Sequence, residues 1–387
     1  MIGEMTAPDE VPAVTLDLTR DVALLTADLL DIPSVSGTEG AIADAVEAAL
    51  RTLPGLAVTR WGDAVVARSE LGLAERVVLA GHLDTVPLPA TEGARGTVPS
   101  SWDGEPGKGT LWGRGATDMK GGVAVQLALA GALFGSPQTR EADGSPRPSR
   151  DVTFVFYDHE EVEAAKSGLG RLVRTAPELL AADFAILLEP TGGTVEGGCN
   201  GTLRVEATTI GEAAHSARAW MGKNAIHAAA PILARLAAYE PETVRVDGLD
   251  YRESLNAVRI AGGTAGNVIP DRCTVEINYR FAPDKSLDEA DAQVRALLEG
   301  FDVVRTDGAP GARPGLTHPA AAAFVAVVGQ EPKPKYGWTD VARFSELGVP
   351  AVNFGPGDAL LAHKDDERVE PEDVRACFRA LRDWLTA

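Results

Sequence analysis

Three apolar runs in this chain break off at an acid or a histidine, and that repeated ending constrains the fold more than any other feature. Val77-Val-Leu-Ala80 runs into Gly81-His-Leu-Asp-Thr-Val-Pro87. Val152-Thr-Phe-Val-Phe-Tyr157 runs into Asp158-His-Glu-Glu161, and Phe184-Ala-Ile-Leu-Leu188 into Glu189-Pro190. Runs this short and this apolar suit strands buried on both faces. Between and around them, helical spacing covers residues 16–31, Glu39–Leu53 behind Thr38 as N-cap, Val123–Leu133 and Gly168–Leu180. Strands alternating with helices predict a layered α/β sheet, and ligand sites in such sheets lie at the carboxyl ends of the strands. Extended backbone sends residues two apart to the same side, so His82 and Asp84 point together out of the first strand end. An imidazole beside a carboxylate there suits a metal ligand and the group that orients it.

The texture changes near Thr194. Val205–Ile210, Leu255–Ala261 and Thr274–Arg280 alternate as half-buried strands do, and residues 223–239 and 286–299 read as helices. This predicts an α+β two-layer insert over 196–307, between the two parts of an α/β domain at 1–195 and 308–387. The second part has helices at 319–328 and 371–385 and a short strand at Ala351–Phe354. Residues 91–112 and 136–150 read as exposed loops.

Composition narrows the function. The 387 residues exceed one core, and 45% hydrophobic content fills two. A formal charge of −20 argues against nucleic acid and anionic membranes. Charged substrate must then be held by a few local arginines. No run approaches the roughly 20 apolar residues of a membrane span. Residues 1–10 carry neither the basic nor the apolar segment of a signal peptide. Cys199, Cys273 and Cys377 are too few and too dispersed for a disulfide framework, so a reduced, cytoplasmic setting is expected.

The polar residues at the strand ends are His82, Asp84, Asp118, Glu160, Glu161 and Glu189, joined by His363 in Leu361-Ala-His-Lys-Asp-Asp-Glu. So many carboxylates at one sheet edge need cations. Mixed nitrogen and oxygen donors suit zinc, with cobalt or manganese as substitutes.

Gly81-His-Leu-Asp-Thr-Val-Pro87, Gly113-Arg-Gly-Ala-Thr-Asp-Met-Lys-Gly121, Glu160-Glu161, Glu189 and His363 together resemble the co-catalytic dizinc aminoacylase/carboxypeptidase family. The resemblance spans nearly the whole chain. It implies a zinc-peptidase-like catalytic domain with a lid and dimerisation insert, and two zinc ions. Asp118 would bridge them, His82 and Glu189 completing one site and Glu161 and His363 the other. Asp84 would orient His82, and Glu160 would be the general base. In the insert, Gly211-Glu-Ala-Ala-His215 resembles the segment in which a histidine reaches the neighbouring subunit's active site, which implies a homodimer. Asn267, Arg280 and Thr339 resemble substrate-binding positions, Arg280 being a natural bidentate partner for a carboxylate. Arg218 and Arg343 are weaker candidates for that task, and His159 receives no role. His227 reads as a packed structural residue and His318 as a helix start.

The expected substrate is a small N-acyl amino acid. The stretches Gly198–Val205, His215–His227, Asn267–Asp271 and Tyr336–Val341 resemble the branch that removes succinyl groups. A deacetylase or carboxypeptidase of the same chemistry is the alternative, and a non-catalytic metal-binding relative is the alternative of another class. No Gly-x-Ser-x-Gly elbow favours a serine hydrolase.

Overall fold

A computed structural model describes residues 15–135 and 147–387. The reading of residues 1–10 and most of the 136–150 loop lie outside the described residues. The chain forms two compact units, Met1–Thr194 with Phe354–Ala387, and Val195–Asn353. The first unit resumes at Phe354, later than the change of texture near 308 suggested. The cause is local pairing: Lys333–Pro334 and Ala351–Asn353 both pair with Glu196–Gly197, which holds residues 333–353 in the second unit.

In the first unit, β1 (Ala57–Trp61), β2 (Ala64–Arg68), β3 (Arg76–His82), β4 (Asp151–Tyr157) and β5 (Phe184–Leu187) lie in the order β1-β2-β4-β3-β5. The first two join antiparallel, while β4, β3 and β5 run parallel. Register matters most for the site. Ala80 stands opposite Val155 on one side and Leu187 on the other, so three strands end at one edge. The ladder continues past the ends, Leu83 N donating to Tyr157 O (2.7 Å) and Leu188 N to Ala80 O (2.9 Å). All of β4 and all but the first residue of β3 are buried, as their unbroken apolar runs require.

Helix α1 (Val22–Leu30) is shorter than the periodic stretch from residue 16. Asp21 accepts from Ala23 N (3.1 Å) and starts the helix there, while Asp17 folds the preceding residues into a turn through Thr19 N. Helix α2 (Gly40–Arg51) departs from expectation at its cap. Thr38 turns its hydroxyl back to Val35 O (2.6 Å), and Glu39 takes the cap position without capping. Helix α3 (Lys120–Phe134) is buried almost all round, as a helix apolar on every side must be. Its approach to the sheet depends on glycine. A Cβ on Gly122 would stand 2.3 Å from Leu188 O, and one on Gly81 2.4 Å from the Gln126 amide.

In the second unit β6 (Gly201–Ile210), β7 (Ser254–Gly262), β8 (Arg272–Phe281) and β9 (Asp302–Ala309) form an antiparallel sheet in the order β7-β8-β6-β9. Burial alternates along β6 and β8, sending Leu203, Val205, Ala207, Val275, Ile277 and Tyr279 into one core. Helix Leu287–Leu297, begun by a Ser286/Glu289 capping box, covers that face with Ala290 and Val294. The expected 223–239 helix is divided into Ala225–Ala228 and Ala230–Ala237, with Pro231 in the first turn of the second piece. His227 is exposed there rather than packed. His318 precedes the helix Pro319–Val328, as expected. Thus the architecture is the anticipated layered α/β domain with an α+β two-layer insert.

Candidate metal centre

The shared strand edge of the first unit delivers the acids and imidazoles. His82 is the last residue of β3, Glu160 and Glu161 lie in the loop after β4, and Glu189 is the second residue after β5. Asp118 comes from the turn before α3, behind a cis Asp118–Met119 peptide, and His363 from the loop before the C-terminal helix Pro371–Leu385. His363 holds a left-handed backbone (φ 64°), a conformation a non-glycine residue keeps only where its surroundings fix it.

Asp118 is the centre of the cluster. Its Oδ1 lies 3.1 Å from His82 Nε2, and its Oδ2 lies 3.2 Å from His363 Nε2. His363 Nε2 also meets Glu161 Oε1 at 3.0 Å. One ligand atom from each of His82, Asp118 and Glu161 falls within 4.8 Å of the others, a group able to hold a metal ion. Glu189 is buried, 6% exposed.

The tautomer of His82 tests whether a cation fits. Its Nδ1 lies 3.0 Å from the backbone carbonyl of Asp84, an acceptor, so Nδ1 must carry hydrogen. In a neutral ring that aims the Nε2 lone pair at the Asp118 carboxylate. Only a proton or a metal ion can stand between them. The titration behaviour shows the same demand for positive charge. Burial opposes protonation of His82, yet Asp118 and Asp84 hold it well above the usual imidazole value. Asp118 and then Glu161 lift His363 to about 10. Asp118 is itself lowered, the two imidazoles outweighing its burial. The donor set therefore fits divalent cations.

Asp84 does more than the sequence suggested. His82 Nδ1 donates to the Asp84 backbone carbonyl, which fixes the ring, and the Asp84 carboxylate stands 3.5 Å from Nδ1. That carboxylate accepts Glu160 N and Glu161 N, both at 3.0 Å, and the Ser36 hydroxyl at 2.7 Å. These bonds hold the Glu160-Glu161 backbone in place. Against its burial, His82 and the two amides lower Asp84 to about 2.

His159, unassigned from sequence, bonds Asp158 Oδ2 (2.8 Å), and its amide donates to the buried Glu39 (3.2 Å). Sequence reasoning also passed over Glu367, which bonds Thr117 N and Asp118 N. The one available signal was its position four residues beyond His363.

The remaining residues lie in the second unit. His215 ends a two-residue strand paired with Val268, where Asn267 O accepts Ser216 N (2.8 Å). His215 and Asn267 are thus neighbours, and both are exposed. Arg280, half-buried on β8, is lowered from the usual guanidinium value by burial and by Arg204. Among the described residues no carboxylate pairs with it. Thr339 is buried, its hydroxyl donating to Asn353 Oδ1 (2.9 Å). Arg343 is engaged by Asp340 and lies over Trp338, and Arg218 is exposed in the 216–221 turn.

Comparison with known proteins gives a consistent result. The sequence model of peptidase family M20/M25/M40 matches residues 78–387. A Mycobacterium tuberculosis protein (strain H37Rv) provisionally named succinyl-diaminopimelate desuccinylase is 51% identical over 373 residues, 96% of this chain and 99% of its own. The succinyl-diaminopimelate desuccinylase of Corynebacterium glutamicum is 44% identical, covering 96% and 98%. A tripeptidase from Staphylococcus aureus has the same fold, with TM-score 0.73 at 20% identity over 96% of this chain and 99% of that one.

Proposed function

Because the chain belongs to peptidase family M20/M25/M40, we propose that its strand-edge cluster is a dizinc centre hydrolysing N-succinyl-LL-2,6-diaminopimelate to succinate and LL-2,6-diaminopimelate. The carrying observation for the chemistry is Asp118, whose two oxygens face two different imidazoles at 3.1 and 3.2 Å. A carboxylate so placed suits a bridge between two metal ions. Asp118, His82 and Glu189 would hold one ion, and Asp118, Glu161 and His363 the other. Zinc suits these donors, with cobalt or manganese as substitutes. Such ions lower the pKa of water and polarise an amide carbonyl.

The chain's own residues do the rest. Glu160, whose backbone N–H donates to the Asp84 carboxylate, takes a proton from the attacking water. As the C–N bond breaks, it passes that proton to the leaving amine. Asp84 keeps base and ligand in register, because one carboxylate grips both amides. Arg280, with Arg204 nearby and no carboxylate partner among the described residues, would bind a substrate carboxylate. His215 would donate toward the oxyanion, and Asn267 and Thr339 would complete the substrate contacts.

We further propose a homodimer formed through the second unit. β7 is an edge strand on which Val258 (56%) and Ile260 (48%) lie exposed, and Trp220 (79%) and Met221 (67%) are exposed in the same unit. Apolar side chains on an open strand edge are a site for pairing with another chain. Mixing a His215→Ala protein with a Glu160→Ala protein should recover activity through mixed dimers, and no recovery would place His215 in its own subunit's site or outside catalysis. A cytoplasmic setting is supported by Cys199, Cys273 and Cys377, all buried and unbridged.

Turnover assays test the substrate. Succinyl-diaminopimelate should be cleaved far faster than acetylornithine or dipeptides. The reverse order would move the chain to a deacetylase or carboxypeptidase role, and no turnover with metal bound would make it a metal-binding relative.

A further inference from the structure

We propose that Glu367, tied to Arg114, is a positioning residue that fixes the Asp118 carboxylate against His363. Glu367 is 1% exposed, deep in the first unit. Its Oε1 accepts the backbone amides of Thr117 and Asp118, both at 3.1 Å. Its Oε2 accepts Arg114 Nη1 at 2.7 Å, and the same nitrogen donates to Lys364 O at 3.2 Å. Two more bonds close the join. Gly113 N donates to Glu367 O (3.2 Å), and the Thr117 hydroxyl to Arg368 O (2.7 Å). One side chain therefore stitches the turn that carries Asp118 to the loop that carries His363.

A buried carboxylate beside a cluster already crowded with acids costs free energy and adds no ligand. The two hydrogen bonds it accepts from backbone amides have a geometric consequence. They hold the backbone from which the Asp118 side chain departs, so Oδ2 stays 3.2 Å from His363 Nε2. Arg114, 3% exposed at its side chain, balances the charge and reaches the His363 loop as well. Asp84 does the parallel task for Glu160 and Glu161, and these two buried carboxylates grip the backbone beside three of the proposed ligand and base positions. Groups behind metal ligands typically set affinity by tenfold to a hundredfold.

This inference rests on the proposed metal centre, and the full-length protein can test the two separately. Zinc and cobalt affinities would be measured by titration for the wild type, Glu367→Ala, Glu367→Gln and Glu367→Asp, alongside melting temperature, kcat and KM. Glu367→Ala should bind the weaker metal ion about 10- to 100-fold less tightly and lose kcat more than KM. Glu367→Gln keeps an oxygen at the Thr117 and Asp118 amides but turns an NH2 toward Arg114, and should regain part of the affinity. Glu367→Asp keeps the charge but is one methylene short, and should bind metal less well than the glutamine variant. Should the alanine protein not fold, the glutamine–aspartate order still decides. Glu253→Gln, which disturbs the buried Glu253–Lys285 pair of the second unit, should lower melting without moving metal affinity. Wild-type affinity in folded Glu367→Ala, or better binding by aspartate than by glutamine, overturns the proposal. A wild-type protein that takes up no zinc or cobalt would overturn the metal centre instead, and this inference with it.

Discussion

The two units hold their proposed site residues differently. In the first, the backbone beside the cluster is itself bound. Asp84 holds the amides of Glu160 and Glu161, Glu367 those of Thr117 and Asp118, and β3 ends in register with its neighbours. In the second, His215 and Asn267 are exposed and Arg280 is half-buried without a carboxylate partner among the described residues. Metal ions tolerate little error in ligand position, so their site must be rigid before they arrive. A flexible substrate can be met by side chains that become ordered as it binds. The difference separates the groups proposed to build a metal site from those proposed to receive a substrate.

Chelation gives the largest expected effect. Stripping metal should reduce turnover to background and zinc or cobalt should restore it, with melting changed far more in the first unit than in the second; full activity in strong chelator would break the contrast. Next comes the split between adjacent residues of one loop. Glu160→Ala should keep its metal and lose about 10²- to 10⁴-fold in kcat, while Glu161→Ala should lose metal first. Equal metal content and equal rates in both would remove the distinction between base and ligand. Smaller is the effect in the second unit. Arg280→Ala should raise KM about 10- to 100-fold, the worth of a charged hydrogen bond, with metal content unchanged. Loss of metal in that variant would erase the division of labour.

The smallest expected effect is on stability, at Asp151 where β4 begins. Burial opposes ionisation, but the Ser69 hydroxyl, the Leu71 and Leu73 amides and Arg76 hold this carboxyl below its usual value. The unfolded chain then binds the proton more readily, so the contribution is present above the unfolded pKa near 4 and fades as pH falls through the lower folded value. The melting temperature of the wild type should exceed that of Asp151→Asn at pH 7, and the gap should shrink as pH falls below about 4. A gap that widens on acidification would contradict this sign.

Local pattern carried the strands furthest. Val77–Ala80, Val152–Tyr157 and Phe184–Leu188 read as buried strands because an unbroken apolar run has few other places to go. Helix boundaries were less legible. Asp21 and Asn224 start helices through side-chain bonds to specific amides, and Thr38, an equally plausible cap by composition, spends its hydroxyl on Val35. The acids and imidazoles of the cluster stood out because each ends an apolar run or sits in a motif. Glu367 did not, since its meaning lies in Arg114, 253 residues away, and in two backbone amides that no side-chain pattern advertises.

By itself the sequence determined which segments are strands and which chemical groups stand at their ends, because burial and periodicity are local demands on residue type. Only the tertiary structure decided that those ends coincide, since parallel register sets Ala80 beside both Val155 and Leu187. It also decided that Asp118 faces two imidazoles, one on each oxygen. The physical reason is that hydrogen bonds between distant segments depend on positions in space, which no stretch of chain specifies alone.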